Sequence, residues 1–227
     1  MIVRVPGLLN ADQIGAVSAV MAKAAFIDGR HSGGPAVQDV KNNLQLDRDK
    51  SPGVADADAV ILGALGQNAT VRAAVLPKRM LPPYYTKYTD GMSYGPHVDN
   101  PLMGTGGGGA PLRTDVSFTL FLNPPDSYDS GELQIKGELG DATVKLPAGD
   151  AVIYPTGAIH QVTKVTRGER LCVVGWIQSM IADPTRRRIV YELDLVAQSL
   201  HRKMPNSDEH RALVRNYGNL VRLWSEP

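Results

Sequence analysis

Cysteine is almost missing from this chain: Cys172 is the only one in 227 residues. An intramolecular disulfide and a Cys-rich zinc site are therefore both excluded. Also lacking is any run of about 18 apolar residues, the length that a membrane-spanning helix needs. The opening Met1-Ile2-Val3-Arg4-Val5-Pro6 holds no long apolar stretch of the kind a secretory leader carries. A cytoplasmic protein without a membrane partner is the expectation. Surplus charge is the third absence, since 24 Lys and Arg stand against 23 Asp and Glu for a formal net of +1. Nucleic-acid binders carry basic residues in clear excess or gathered on one face, so no nucleic-acid partner is expected. The one local cluster, Arg186-Arg187-Arg188, lies in an amphipathic stretch and reads as a solvated helix face.

What is present is the material for a core. With 43% hydrophobic residues, a chain of this length buries a sizeable interior without covalent staples. Asn10 reads as an N-cap for a helix over about 11–25, with Ile14, Val17, Val20 and Met21 on one stripe. Residues 29–49 read as turn-rich connection. Helices are expected over 54–65 and 69–75, after which Pro77, Pro82 and Pro83 punctuate the chain. Seven short strands follow, at 84–88, 116–122, 131–135, 142–146, 151–154, 161–165 and 170–178, separated by Gly-, Pro- and Asp-rich turns. Helix resumes at the N-cap Asp183 with Pro184 in the first turn. Its stripe is Ile189, Leu193, Val196 and Leu200, and a last helix spans about 207–223.

Helices, then strands, then helices argue for segregated layers rather than alternating βαβ units. The expected class is α+β with a mainly β core, a double-stranded β-helix (jelly roll, cupin-like) flanked by helices. The expected divisions are an N-terminal helical region over 1–77, the β-helix core over 78–178 and a C-terminal helical region over 179–227. The apolar stripes of the last region either bury against the core or form a homodimer interface.

Two of the five histidines, His97 and His160, stand in the strand-rich middle. On a strand, residues i and i+2 share a face, so His97 and Asp99 reach one ion together. Alone, a His-x-Asp triplet is weak evidence, and either histidine taken singly is better read as structural. With His160 on a later strand, two imidazoles and one carboxylate make the facial set that suits non-haem Fe(II) and leaves positions open. Arg170 follows His160 by ten residues, past the turn Arg167-Gly168-Glu169. A guanidinium clamps a carboxylate bidentately, which an iron-chelating 2-oxo dicarboxylate needs at its far end. If 167–169 were a three-residue hairpin loop, Thr166 would pair with Arg170 and Trp176 would lie opposite His160. Alternation would then put Arg170, Cys172, Val174 and Trp176 on the His160 face. Core packing is the reading for Trp176. The segment Gly104-Thr105-Gly106-Gly107-Gly108-Gly109 lacks the Gly-Lys-Ser/Thr ending of a phosphate loop. It reads as a mobile connection or, being just past two ligands, as a lid.

Tyr88-Thr89-Asp90-Gly91-Met92-Ser93-Tyr94-Gly95-Pro96-His97-Val98-Asp99 resembles the Tyr…Gly…Tyr…His-x-Asp segment of prolyl-hydroxylase-type 2-oxoglutarate oxygenases. Lys41-Asn42-Asn43-Leu44-Gln45-Leu46, Arg113-Thr114-Asp115, Lys145-Leu146-Pro147-Ala148-Gly149, Thr166-Arg167-Gly168-Glu169-Arg170 and Trp176-Ile177-Gln178-Ser179-Met180 are similar to one branch, the bacterial PKHD-type hydroxylases. The resemblance runs from about residue 41 to 195. It implies a dioxygenase that uses Fe(2+), 2-oxoglutarate, O2 and L-ascorbate to hydroxylate a small-molecule or peptidyl substrate, in some members in the context of iron uptake. It also implies His97, Asp99 and His160 as metal ligands, Arg170 as the 2-oxoglutarate anchor and a contact from the Tyr88 hydroxyl. The alternatives from other classes are a cupin-like metal-binding sensor and a non-oxidative isomerase.

Overall fold

The computed structural model describes residues 1–34, 37–104, 110–137 and 140–226. The glycine run expected as a connection or lid lies, at 105–109, outside the described residues. Strand β1 (Val3–Val5) leads into α1 (Ala11–Lys23), β2 (Phe26–Asp28), β3 (Lys41–Asn42) and β4 (Leu44–Leu46). Helices α2 (Val54–Gln67) and α3 (Ala69–Val75) follow, then β5 (Pro77–Met80), β6 (Tyr84–Tyr88), β7 (Ser93–His97), β8 (Leu102–Met103) and β9 (Leu112–Arg113). The central strands are β10 (Val116–Phe121), β11 (Tyr128–Ser130), β12 (Leu133–Ile135), β13 (Ala142–Val144) and β14 (Ala151–Pro155). After β15 (His160–Val162), β16 (Val165–Gly168) and β17 (Arg170–Ser179), the chain ends in α4 (Pro184–Lys203) and α5 (Asp208–Trp224).

Helix starts follow local chemistry. At α1, the Asn10 side chain accepts from Gln13 N (2.9 Å) and the Gln13 side chain accepts from Asn10 N (3.0 Å), satisfying two otherwise orphaned donors. Asn68 and Asp183 accept in the same way at α3 and α4, and Pro184 occupies a position where its missing N–H costs nothing.

The strands form two main antiparallel sheets. The larger runs β1-β14-β10-β17-β6-β4-β2, with β5 also on β17, and the smaller runs β13-β12-β15-β7-β3. Period-two alternation explains why the larger sheet is covered on both faces. Phe118 and Leu120 of β10, Ile153 of β14 and Val173 and Ile177 of β17 pack with Val17, Met21, Ile61, Leu65 and Val75 of the three N-terminal helices. The intervening Phe121, Val152, Tyr154 and Cys172 pack with Leu133, Ile135, Val144 and Val162 of the smaller sheet. Three layers result, namely helices, large sheet and small sheet, and the two sheets make the expected jelly roll. Each fully buried Ile or Leu in this interior contributes on the order of 1.5–3 kcal/mol. No described helix is long and apolar enough to cross a membrane.

Several details differ from expectation. The segment 29–49 is not mere connection: β3 joins the small sheet and β4 the large one. Strands β1, β5, β8, β9 and β11 are too short to show a period in sequence. The C-terminal stripe is also shifted. Arg187, Val190 and Ala197 form the buried face of α4, while Ile189 and Val196 are exposed. Arg187 is therefore no solvated residue. It is 4% exposed and donates to the carbonyls of Ile181 (2.6 Å) and Asp115 (3.4 Å), pinning α4 to the core.

The expected 161–178 hairpin does not exist. β15 pairs with β12 and β7, β16 pairs with β11, and β17 pairs with β10, β6 and β5. Arg170 lies opposite Tyr88 rather than Thr166, and Trp176 opposite Ser117 rather than His160. The chain instead crosses between layers at Gly168, whose φ is +78° and where a Cβ would sit 2.4 Å from the Ser127 carbonyl oxygen. Gly168→Ala is accordingly expected to lower unfolding stability by about 1–3 kcal/mol, seen as an earlier urea midpoint with an unchanged slope.

Candidate metal centre

His97 ends β7 and His160 begins β15, and the two are direct partners across this antiparallel pair. Such pairing places side chains on one face within contact distance, and the ring centroids are 4.2 Å apart. Asp99 follows two residues after His97 on the same face, while Val98 between them turns outward and is 46% exposed. One Asp99 oxygen lies 3.7 Å from His97 Nε2 and the other 3.7 Å from His160 Nε2. One donor atom from each of the three residues falls within 4.8 Å of the others, close enough to hold a metal ion.

Each imidazole is oriented from behind. His97 Nδ1 is 2.8 Å from the Gly95 carbonyl oxygen and His160 Nδ1 is 2.9 Å from that of Ala158. With Nδ1–H donating to these carbonyls, both Nε2 lone pairs face the cluster, as metal-ligating histidines require. Burial, reinforced by the neighbouring His160, lowers the His97 pKa to about 4, so its ring is neutral near pH 7. Tyr94 stacks on His97 with centroids 3.5 Å apart. The carboxylate is held as firmly, because Ser117 Oγ (2.8 Å) and Trp176 Nε1 (2.9 Å) both donate to one Asp99 oxygen.

A cavity of about 920 Å³, including its open mouth, contains this cluster together with Tyr88, Tyr154 and Arg170. Arg170 is 1% exposed, its guanidinium 5.2 Å from the Tyr88 ring and 5.4 Å from the Phe121 ring. Its Nε has no hydrogen-bond partner, and no described carboxylate lies within ion-pair distance. A buried guanidinium left so is expensive, and an incoming carboxylate corrects it. The Tyr88 hydroxyl pKa is pushed up to about 12 by burial, which keeps the group a neutral donor.

The sequence-expected residues His97, Asp99, His160, Arg170 and Tyr88 all line this one cavity. His160 and Arg170 reach it from opposite sheets and not from neighbouring strands. Sequence reading missed Ser117, although a serine in the apolar run Val-Ser-Phe-Thr-Leu-Phe marks the face turned away from the helices. It also gave Trp176 to core packing without its bond to Asp99, and overlooked Lys41, Asn43 and Gln45, which share the cavity wall.

Residues 83–178 match the family model of the 2OG-Fe(II) oxygenase superfamily, and residues 185–226 that of the PKHD-type hydroxylase C-terminal domain. A PKHD-type hydroxylase of Gluconacetobacter diazotrophicus is 43% identical over 225 residues, 99% of each chain. Among solved structures, a prolyl-4-hydroxylase of Pseudomonas putida superposes with a TM-score of 0.52 at 21% identity, covering 78% of this chain and 92% of its own. HygX of Streptomyces hygroscopicus, solved with nickel, 2-oxoglutarate and hygromycin B bound, gives 0.51 at 14% identity over 80% of this chain and 84% of its own.

The indole bond has a direct test. Trp176→Phe keeps the ring but removes one donor from Asp99, so Fe(II) affinity measured calorimetrically without oxygen should fall by about 10–100-fold. Unchanged affinity would reduce Trp176 to a packing residue.

Proposed function

Because the chain belongs to the PKHD-type hydroxylases of the 2OG-Fe(II) oxygenase superfamily, we propose that His97, Asp99 and His160 hold its iron and that Arg170 anchors its 2-oxoglutarate. The donor set fits the metal, since two imidazoles and one carboxylate on one side are what Fe(II) takes when other positions must stay open. The observation that carries the reading is the buried, carboxylate-free Arg170 in the same cavity as that donor set. A metal-binding sensor has no use for such a clamp.

Bound Fe(II) with 2-oxoglutarate and O2 supplies the oxidising chemistry, in which 2-oxoglutarate becomes succinate and carbon dioxide while the substrate gains a hydroxyl group. The chain's own residues position and shield. Arg170 meets the distal carboxylate with a flat, permanently charged fork, steadied between Tyr88 and Phe121. The Tyr88 hydroxyl donates to the same end. Asp99 is kept from rotating by Ser117 and Trp176, so one of its oxygens stays beside each imidazole. Tyr154, 5.1 Å from the His160 ring, and Tyr94 wall the cluster from water.

Anaerobic addition of Fe(II) and then 2-oxoglutarate is expected to produce a visible metal-to-ligand charge-transfer band only when both are present, with His160→Ala as the silent control. Losing one charge-assisted carboxylate contact of about 1.5–3 kcal/mol, Arg170→Ala should raise the 2-oxoglutarate concentration for half-saturation roughly 10–150-fold. Asp99→Ala should abolish 2-oxoglutarate consumption. A folded, iron-loaded protein without the band would leave only a cupin-like metal binder.

A further inference from the structure

Among the described residues, three charged side chains line the cavity, Asp99, Arg170 and Lys41. Lys41 stands on β3, beside β7 and on the opposite side of it from β15, which puts it next to the strand that carries His97. It is 7% exposed, and its ammonium donates to Ser32 Oγ at 2.9 Å. That hydroxyl has the Gln45 side-chain oxygen (2.5 Å) and the Gly29 carbonyl oxygen (3.1 Å) as acceptors, so the lysine is held by a built polar ledge. The Tyr94 ring centroid lies 5.2 Å from the ammonium. No described carboxylate comes within ion-pair distance of it. Burial lowers its pKa to about 8, against the opposing fields of Asp99 and Asp28, so it is mostly charged near neutrality.

The charges of the wall do not cancel. Two cations and one carboxylate leave a single positive charge, and loading Fe(II) with the 2-oxoglutarate dianion adds equal and opposite amounts. Asp99, the only negative group among the described residues of the wall, is then committed to the metal and Arg170 to the co-substrate. Lys41 is left as the uncompensated cation in a low-dielectric pocket, where a missing partner is costly. Resting on the functional reading above, we propose that the substrate carries one anionic oxygen group, such as a carboxylate, and that Lys41 pairs with it, fixing which carbon faces the metal cluster. Lys41 is thus a substrate-selecting residue, separate from the co-substrate clamp.

The test uses benzoate and its neutral counterpart benzamide as probes, titrated anaerobically by calorimetry into the metal-free chain and into the chain loaded with Fe(II) and 2-oxoglutarate. Wild type should prefer benzoate by about ten-fold or more, the scale of one charge-assisted contact. Lys41→Met and Lys41→Gln, both checked for an unchanged melting temperature, should lose that preference while binding 2-oxoglutarate as wild type does. Equal binding of the two probes by the loaded wild type, or a preference that survives in a loaded and folded variant, where 2-oxoglutarate covers Arg170, overturns the proposal. A variant that instead loses 2-oxoglutarate affinity also overturns it, by assigning Lys41 to the co-substrate. Wild type that takes up no 2-oxoglutarate at all defeats the oxygenase reading alone, because metal-free titrations in an Arg170→Ala background, where the second cation is gone, still decide whether Lys41 selects an anion.

Discussion

The Asp99 carboxylate ties the molecule together. By chain position it belongs to the small sheet, two residues past the end of β7, yet both its hydrogen-bond donors come from the large one, Ser117 on β10 and Trp176 on β17. Its orientation therefore exists only when the two sheets have closed on each other. The imidazoles need no such closure, since they are paired on adjacent strands of one sheet and braced by carbonyls two residues away. The proposed metal-binding triad thus forms as a by-product of sandwich assembly. The buried hydrogen bonds that hold it are stronger than they would be in water.

That arrangement loads the space between the small sheet and the inner face of the large sheet with groups that oppose folding. Arg170, Lys41 and Asp99 are removed from most of their water, and burying such charges costs several kcal/mol each before any partner is found. The other face of the same sheet offsets this with Phe118, Leu120, Ile153, Val173 and Ile177 against three helices. Strict alternation along β10, β14 and β17 lets one strand serve both purposes. At the far end, Arg187 satisfies loop carbonyls, and the Arg113–Glu226 ion pair (2.8 Å) with the bond from Glu226 N to the Met180 carbonyl oxygen (2.8 Å) secures the C-terminal pair of helices.

The cavity inherits its character from segments with very different sequence signals. Strands β6, β10, β14 and β17 announce themselves by composition. The stretch 41–46 does not, because β3 and β4 are two and three residues long and belong to different sheets. In crossing from one sheet to the other it turns Lys41, Asn43 and Gln45 toward the same interior. Their i, i+2, i+4 spacing was visible, but spacing alone does not tell a cavity wall from a solvated edge.

Local rules settled what local physics controls. Caps at Asn10 and Asp183, the long helices, the central strands and the shared face of His97 and Asp99 are all readable from residue type and period, because each depends on neighbours within about four positions. Of the five residues of the proposed site, His97, Asp99, His160 and Arg170 were nameable from residue type and spacing, and Tyr88 only from the family resemblance that spans most of the chain. Partnership was not. The plausible hairpin between His160 and Arg170 was replaced by a sandwich in which the two face each other from opposite sheets. The α4 stripe rotated so that Arg187 went inside and Ile189 and Val196 stayed out. Strand pairing and helix rotation are decided by which apolar faces find each other across a hundred or more residues, and no local period carries that information. Only the folded chain shows that Trp176 braces Asp99 and that Lys41 has no described carboxylate within ion-pair distance, since both facts arise where the two sheets meet.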